Sequence, residues 1–174
     1  MKMFHVERLF KTLYSKGFLV FIMGMLLVSC ITPRHTVEIQ DYILLENGKE
    51  VLGKDKGLTA FIFENNPRKI AFSQFAANKY GVGSYTDVNY EVTIGGDKFR
   101  VFVYENAELE KYFDVSQFMV TKAETDSNIN GSTARFIALS MINSQNEDCL
   151  TEHSLYKNIA ITYLKNLKDE FNNL

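Results

Sequence analysis

Cys149 and His153 stand four residues apart ahead of the last apolar repeat, a spacing that can set a thiol and an imidazole on one helix face. With a third group to orient the imidazole, such a pair can act as nucleophile and base; with two further ligands, it can hold a metal. Asp148 and Glu152 are the nearest acids in sequence, and both equally suit a helix N-terminus. The plainer reading, a buried cysteine and a surface histidine, asks for no further residues and is preferred. No catalytic residue, metal ligand or cofactor is therefore assigned, and a hydrolase built around Cys149, His153 and Glu152 is kept as the alternative.

Three other patterns weaken on inspection. Asp126-Ser127-Asn128-Ile129-Asn130-Gly131 matches the first half of an EF-hand loop, but Ile137 stands where the bidentate carboxylate should complete the shell. The stretch reads instead as a polar turn. Ser154-Leu155-Tyr156-Lys157 has the S-x-x-K spacing of penicillin-binding serine enzymes without their companion motifs. Gly81-Val82-Gly83 follows a helix and lacks the third glycine of a dinucleotide turn. Glu105, Glu108, Glu110 and Asp114 read as a solvated face. Tyr80, Tyr85 and Tyr90 gather around one loop and are the candidate binding surface for an envelope protein or a glycan, because aromatic rings give large contact area at small entropic cost.

The N-terminus carries the most specific signal. Lys2, Arg8, Lys11 and Lys16 against Glu7 form a positive region, followed by the apolar run Phe18–Val28. That run is too short to cross a bilayer, which takes about 20 residues, and has the length of a signal-peptide core. It closes on Leu27-Val28-Ser29-Cys30. The box resembles that of bacterial lipoproteins, and the chain is similar to envelope lipoproteins of the Bacteroidota type over residues 1–30. The resemblance implies cleavage between Ser29 and Cys30, a diacylglyceryl thioether on the Cys30 sulfur, and acylation of the new amine. Several acyl chains make such an anchor durable where one would be marginal. It also implies residence at a membrane of the cell envelope. The residues after Cys30 lack an acidic cluster, which favours the periplasmic face of the outer membrane.

Hydrophobic residues make up 46 % and charged residues 23 % of the chain, so a folded core is expected and wholesale disorder is not. The net charge of -2 offers no general attraction for a phosphate backbone, which argues against nucleic acid as a partner. Residues 1–29 are expected to be a signal peptide, 30–36 a tether and 37–174 a single domain. Once Cys30 is acylated, Cys149 has no partner and is expected to be buried.

Alternating apolar residues predict a strand over Val37–Glu46, interrupted at Asp41, with Asn47-Gly48 as a type I′ turn into a return strand at Lys49–Leu52. Leu58–Phe63 is apolar on both faces and reads as a central strand. Asn66 and Pro67 predict a helix start, and Gly81 its end, with Phe72, Phe75, Ala76 and Tyr80 on one side. Val88–Ile94 and Phe99–Val103 flank Gly95-Gly96 as a hairpin, with a short helix near Ala107–Tyr112 and strands at Val115–Thr121 and Arg135–Ile142. The spacing of Leu155, Ile159, Tyr163, Leu167 and Phe171 predicts a closing amphipathic helix over Thr151–Phe171. Runs of hairpin-linked strands with few helices indicate an α+β domain, a mainly antiparallel sheet with two helices packed on one face. The function expected from these readings is a non-enzymatic binding or assembly module, with a periplasmic immunity or inhibitor protein as a further alternative.

Overall fold

Strands β2 (Ile43–Leu45), β3 (Ala60–Glu64), β4 (Asn89–Ile94), β5 (Asp97–Glu105) and β7 (Phe136–Asn143) form a five-stranded sheet in the order β2-β3-β7-β5-β4. Every neighbouring pair is antiparallel. The computed structural model describes residues 37–50, 56–119, 121 and 135–174. Two short strands, β1 (Val37–Glu38) and β6 (Phe118–Met119), pair in parallel outside this sheet. The helices are α1 (Phe72–Tyr80), α2 (Asn106–Tyr112) and α3 (Lys157–Asn172).

The period of two along β5 and β7 divides the core. Val101, Val103, Ile137, Leu139 and Met141 face α1 and α3, whose Phe72, Phe75, Leu164 and Phe171 complete that layer. Tyr104, Phe136 and Ala138 face the other way, onto Leu109 of α2 and Phe113. The fold is thus α+β with α1 and α3 on one face, as the element order indicates, and α2 covers part of the second face. Strands β3 and β7 are buried throughout because both lie inside the sheet and carry apolar residues on both sides. Edge-to-face contacts join Phe72 to Phe63 and to Phe171, at 5.7 and 5.0 Å between ring centres. Gly95 and Gly96 both have positive φ, 63° and 99°, and turn β4 into β5 as the two-glycine hairpin requires.

Four local expectations are corrected. The segment Val37–Glu46 divides at bends at Gln40 and Asp41, so β1 and β2 belong to different sheets. Asn47-Gly48 does not reverse the chain. Only Asn47 of the two has positive φ, at 63°. Beyond it, the N–H of Gly48 donates to Leu58 O at 2.9 Å and the N–H of Leu58 donates to Lys49 O at 2.8 Å, which extends the β2–β3 pairing past an irregular Glu46-Asn47 step. Lys49 and Glu50 are not strand, and 51–52 lie outside the described residues. Gly48 is needed for close approach, since a Cβ there would come 2.0 Å from the Phe113 ring.

Helix α1 begins at Phe72, later than the Asn66-Pro67 signal. The Asn66 side chain accepts the N–H of Arg68 at 3.1 Å and closes only a turn. The cap comes from Glu105, at the end of β5, while Gly81 ends the helix at φ 69° as expected. In α3 the buried residues are Ala160, Leu164, Leu167, Lys168 and Phe171. Leu155 precedes the helix and is 95 % exposed, and Ile159 is 42 % exposed. A step of four residues turns about 40° past a full helical circle, so a stripe spaced strictly by four winds off the core face. Spacings of four, three and four, from Ala160 to Phe171, stay on it.

Candidate functional site

Ser29 and Cys30 lie outside the described residues, as does the loop at 126–131. Ile137 is fully buried in the middle of the sheet, so the position where a calcium loop would carry its bidentate carboxylate is core. Among the described residues no group of three or more His, Cys, Asp or Glu side chains is placed to hold a metal. No helix among them is long and apolar enough to cross a membrane.

Cys149 and His153 are not on a helix; residues 149–156 form bends and turns ahead of α3. The thiol is fully buried, and His153 and Glu152 are exposed. Burial, with Asp148 and Glu147 nearby, pushes the Cys149 pKa up to about 12, so the thiol stays protonated and poorly nucleophilic. Asp148 serves the backbone, its carboxylate accepting the N–H groups of Thr59 at 2.7 Å and Leu150 at 2.8 Å. Ser154 Oγ accepts the N–H of Tyr156 at 3.2 Å, a turn contact at the approach to α3.

The tyrosines separate into a stacked, at least partly buried group and an exposed one. Tyr80 and Tyr90 stack at 3.8 Å with their planes 6° apart. The Tyr80 hydroxyl lies 2.7 Å from that of Tyr163, which donates to the Tyr90 hydroxyl at 3.4 Å. Burial raises the pKa of all three. They remain neutral and join α1, β4 and α3. Tyr90 is only 5 % exposed and offers little surface, whereas Tyr85 is 55 % exposed, its hydroxyl donating to Asn78 Oδ1 at 3.2 Å. Tyr163 is hidden in the sequence because it falls on the helix as one more member of an apolar repeat.

A second constellation had no motif to reveal it. On the α2 side of the sheet, Lys49 Nζ lies 5.5 Å from the ring centre of Phe102, 5.8 Å from that of Tyr104 and 5.5 Å from that of Tyr112. Glu108 Oε1 approaches the same nitrogen at 3.9 Å. Four chain segments meet here: β5 supplies two rings, α2 supplies Tyr112 and Glu108, the loop after β2 supplies Lys49, and the loop before β4 brings the Asp87 carboxyl near Glu108. Partial burial and the Asp87 carboxyl raise the Glu108 pKa. Burial raises that of Tyr104, which keeps its ring neutral. Glu105 and Glu108, expected on a solvated face, are thus both engaged, one as a helix cap and one beside Lys49. The useful signal was the alternation Arg100, Phe102, Tyr104 along β5, which puts two aromatics on the face opposite the main core.

A half-open groove of about 670 Å³ lies beside this region, with Leu109, Tyr112, Phe113, Phe118 and Phe136 among its lining. No family model matches the chain, and no curated protein or solved structure does either.

Proposed function

We propose that the protein is a lipid-anchored component of a bacterial envelope, held through Cys30 at the periplasmic face of the outer membrane, whose folded domain is a binding or assembly module. The observation that carries this reading is the coincidence of a positive N-terminal stretch, a short apolar run and the box Leu27-Val28-Ser29-Cys30. Binding is favoured over hydrolysis by the state of Cys149, whose burial and raised pKa remove the nucleophile that the hydrolase reading needed. The outer edge of β4 suits a docking role, since among the described residues that strand pairs only with β5. Labelled fatty acid supplied to cells expressing the full chain tests the anchor. Label should enter the wild-type protein and be lost in Cys30→Ala, together with membrane fractionation. Continued labelling of Cys30→Ala would overturn the proposal.

A further inference from the structure

We propose that the recess walled by Phe102, Tyr104 and Tyr112 is a binding site for a methylated ammonium group, occupied in this structure by the ammonium of Lys49. Three aromatic rings and a carboxylate around one cation is the arrangement that recognises quaternary ammonium ligands. Two distances indicate that Lys49 does not fill it. The ring centres lie 5.5 to 5.8 Å from Nζ, close to the limit of about 6 Å at which a ring face attracts a cation. A methylated ammonium, wider than Nζ by N–C bonds of about 1.5 Å, would bring its methyl groups nearer the three rings than Nζ stands. Glu108 at 3.9 Å is also beyond the 2.7–3.2 Å of an N–H···O hydrogen bond, a separation that suits a cation with no N–H to donate.

Two other lysines that approach rings behave differently. Lys79 lies near Tyr80 alone and Lys165 near Tyr42 alone, and each makes a direct ion pair, Lys79 with Glu170 and Lys165 with Asp41 at 2.8 Å. Among the described residues Lys49 has no such close pair to break. Its backbone is fixed by the hydrogen bond from Leu58, but its side chain is 30 % exposed and can rotate into water, leaving the rings in place. Tyr104 also packs edge-on against Tyr112 and Phe113, with ring centres 5.8 and 5.6 Å away, so this wall has neighbours other than the lysine. Lys111, 5.0 Å from the Tyr112 ring centre, stands at the rim and would meet a phosphate attached to the ammonium group.

Titration of the full chain with tetramethylammonium and with phosphocholine, followed by the ring-proton NMR signals of Phe102, Tyr104 and Tyr112, tests the site. Wild-type protein should bind weakly because Lys49 competes, and Lys49→Ala should bind at least about tenfold more tightly, since removing an internal competitor raises the competent fraction. Tyr112→Ala and Glu108→Gln introduced into that variant should each lose most of the gain. Phosphocholine binding more tightly than tetramethylammonium, with the difference removed by Lys111→Ala, would identify a headgroup-like ligand; equal affinities would identify a free ammonium ligand. A folded Lys49→Ala protein whose ring signals do not move with either probe overturns the proposal. If that variant does not fold, the wild-type titration decides, and unchanged ring signals at saturating probe overturn it.

Discussion

The carboxylate of Glu105 caps Phe72 across the fold: its Oε1 accepts the Phe72 N–H at 2.8 Å and its Oε2 the Ser73 N–H at 3.1 Å. Two of the four unpaired N–H groups of the first turn of α1 are thereby satisfied by the last residue of β5. The same residue joins β5 to α2, so one side chain ties the two faces of the sheet together.

Glu105→Ala is expected to lower unfolding stability by about 1–2 kcal/mol, in line with the loss of a helix cap that leaves partly buried donors unpaired. Asn66→Ala, which removes only a turn contact, should stay within about 0.5 kcal/mol. Urea denaturation midpoints of the two variants distinguish a helix capped by Glu105 from one capped by Asn66.

The contrast explains what could be read in advance. The order of strands and helices follows from periodicity, because alternation and helical spacing are local properties of the chain. Gly81 and Gly95-Gly96 act within a few residues and were equally legible. Glu105 acts across 33 positions in sequence, and nothing near Phe72 announces it. Lys49 meets rings from β5 and α2 for the same reason, so that constellation exists only once the sheet has formed. Asn47-Gly48 misled because the pair has two uses, a tight turn and close packing, and the Phe113 ring selects the second.

Helix α3 offers a direct comparison of buried and exposed positions. Leu164 is fully buried against the sheet, and Leu164→Ala should cost about 2–5 kcal/mol through lost burial and an unfilled cavity. Ile159 is 42 % exposed, so Ile159→Asp should change stability by no more than about 0.5 kcal/mol. Thermal melts followed by circular dichroism check both. A severe loss in Ile159→Asp would mean that the spacing-by-four stripe faces the core after all.

Cys149 should make the protein sensitive to alkali. Its pKa rises from 9.0 to about 12 on folding, because burial disfavours the thiolate. The native state therefore retains the proton that the unfolded chain releases, and the associated stability is complete below pH 9 and is lost as the pH rises toward 12. Tyr80, Tyr90, Tyr104 and Tyr163 act in the same direction. Cys149→Ala should consequently lose less stability than the wild type over that interval. A thiol reagent should modify native Cys149 slowly and the unfolded chain fast; rapid native modification would restore Cys149 as a reactive group.

Asp41 gives the corresponding dependence at low pH. Its carboxylate lies 2.8 Å from Lys165 Nζ and also binds Lys168, whose side chain is only 10 % exposed. Hydrogen bonds from Lys165 and then Lys168 hold the Asp41 pKa below its ordinary value of 3.8. The contribution is thus present above about pH 4 and is lost as the pH falls through the lower, folded value. Lys165 is raised above 10.5 by the same contact, so its share is present below that pH and fades above it. Asp41 itself is 45 % exposed, and solvent and salt screen part of the attraction. Asp41→Asn leaves Lys168 with Asp169 at 3.5 Å as its remaining ion-pair partner and should destabilise the protein at pH 7. The difference from wild type should shrink below pH 4 and in molar salt. Because Asp41 sits at the bend between β1 and β2, the loss should also free that segment, read as faster amide exchange at Ile39 and Tyr42. A difference that persists unchanged at pH 2 would mean that the aspartate supports the bend through its shape and not through its charge.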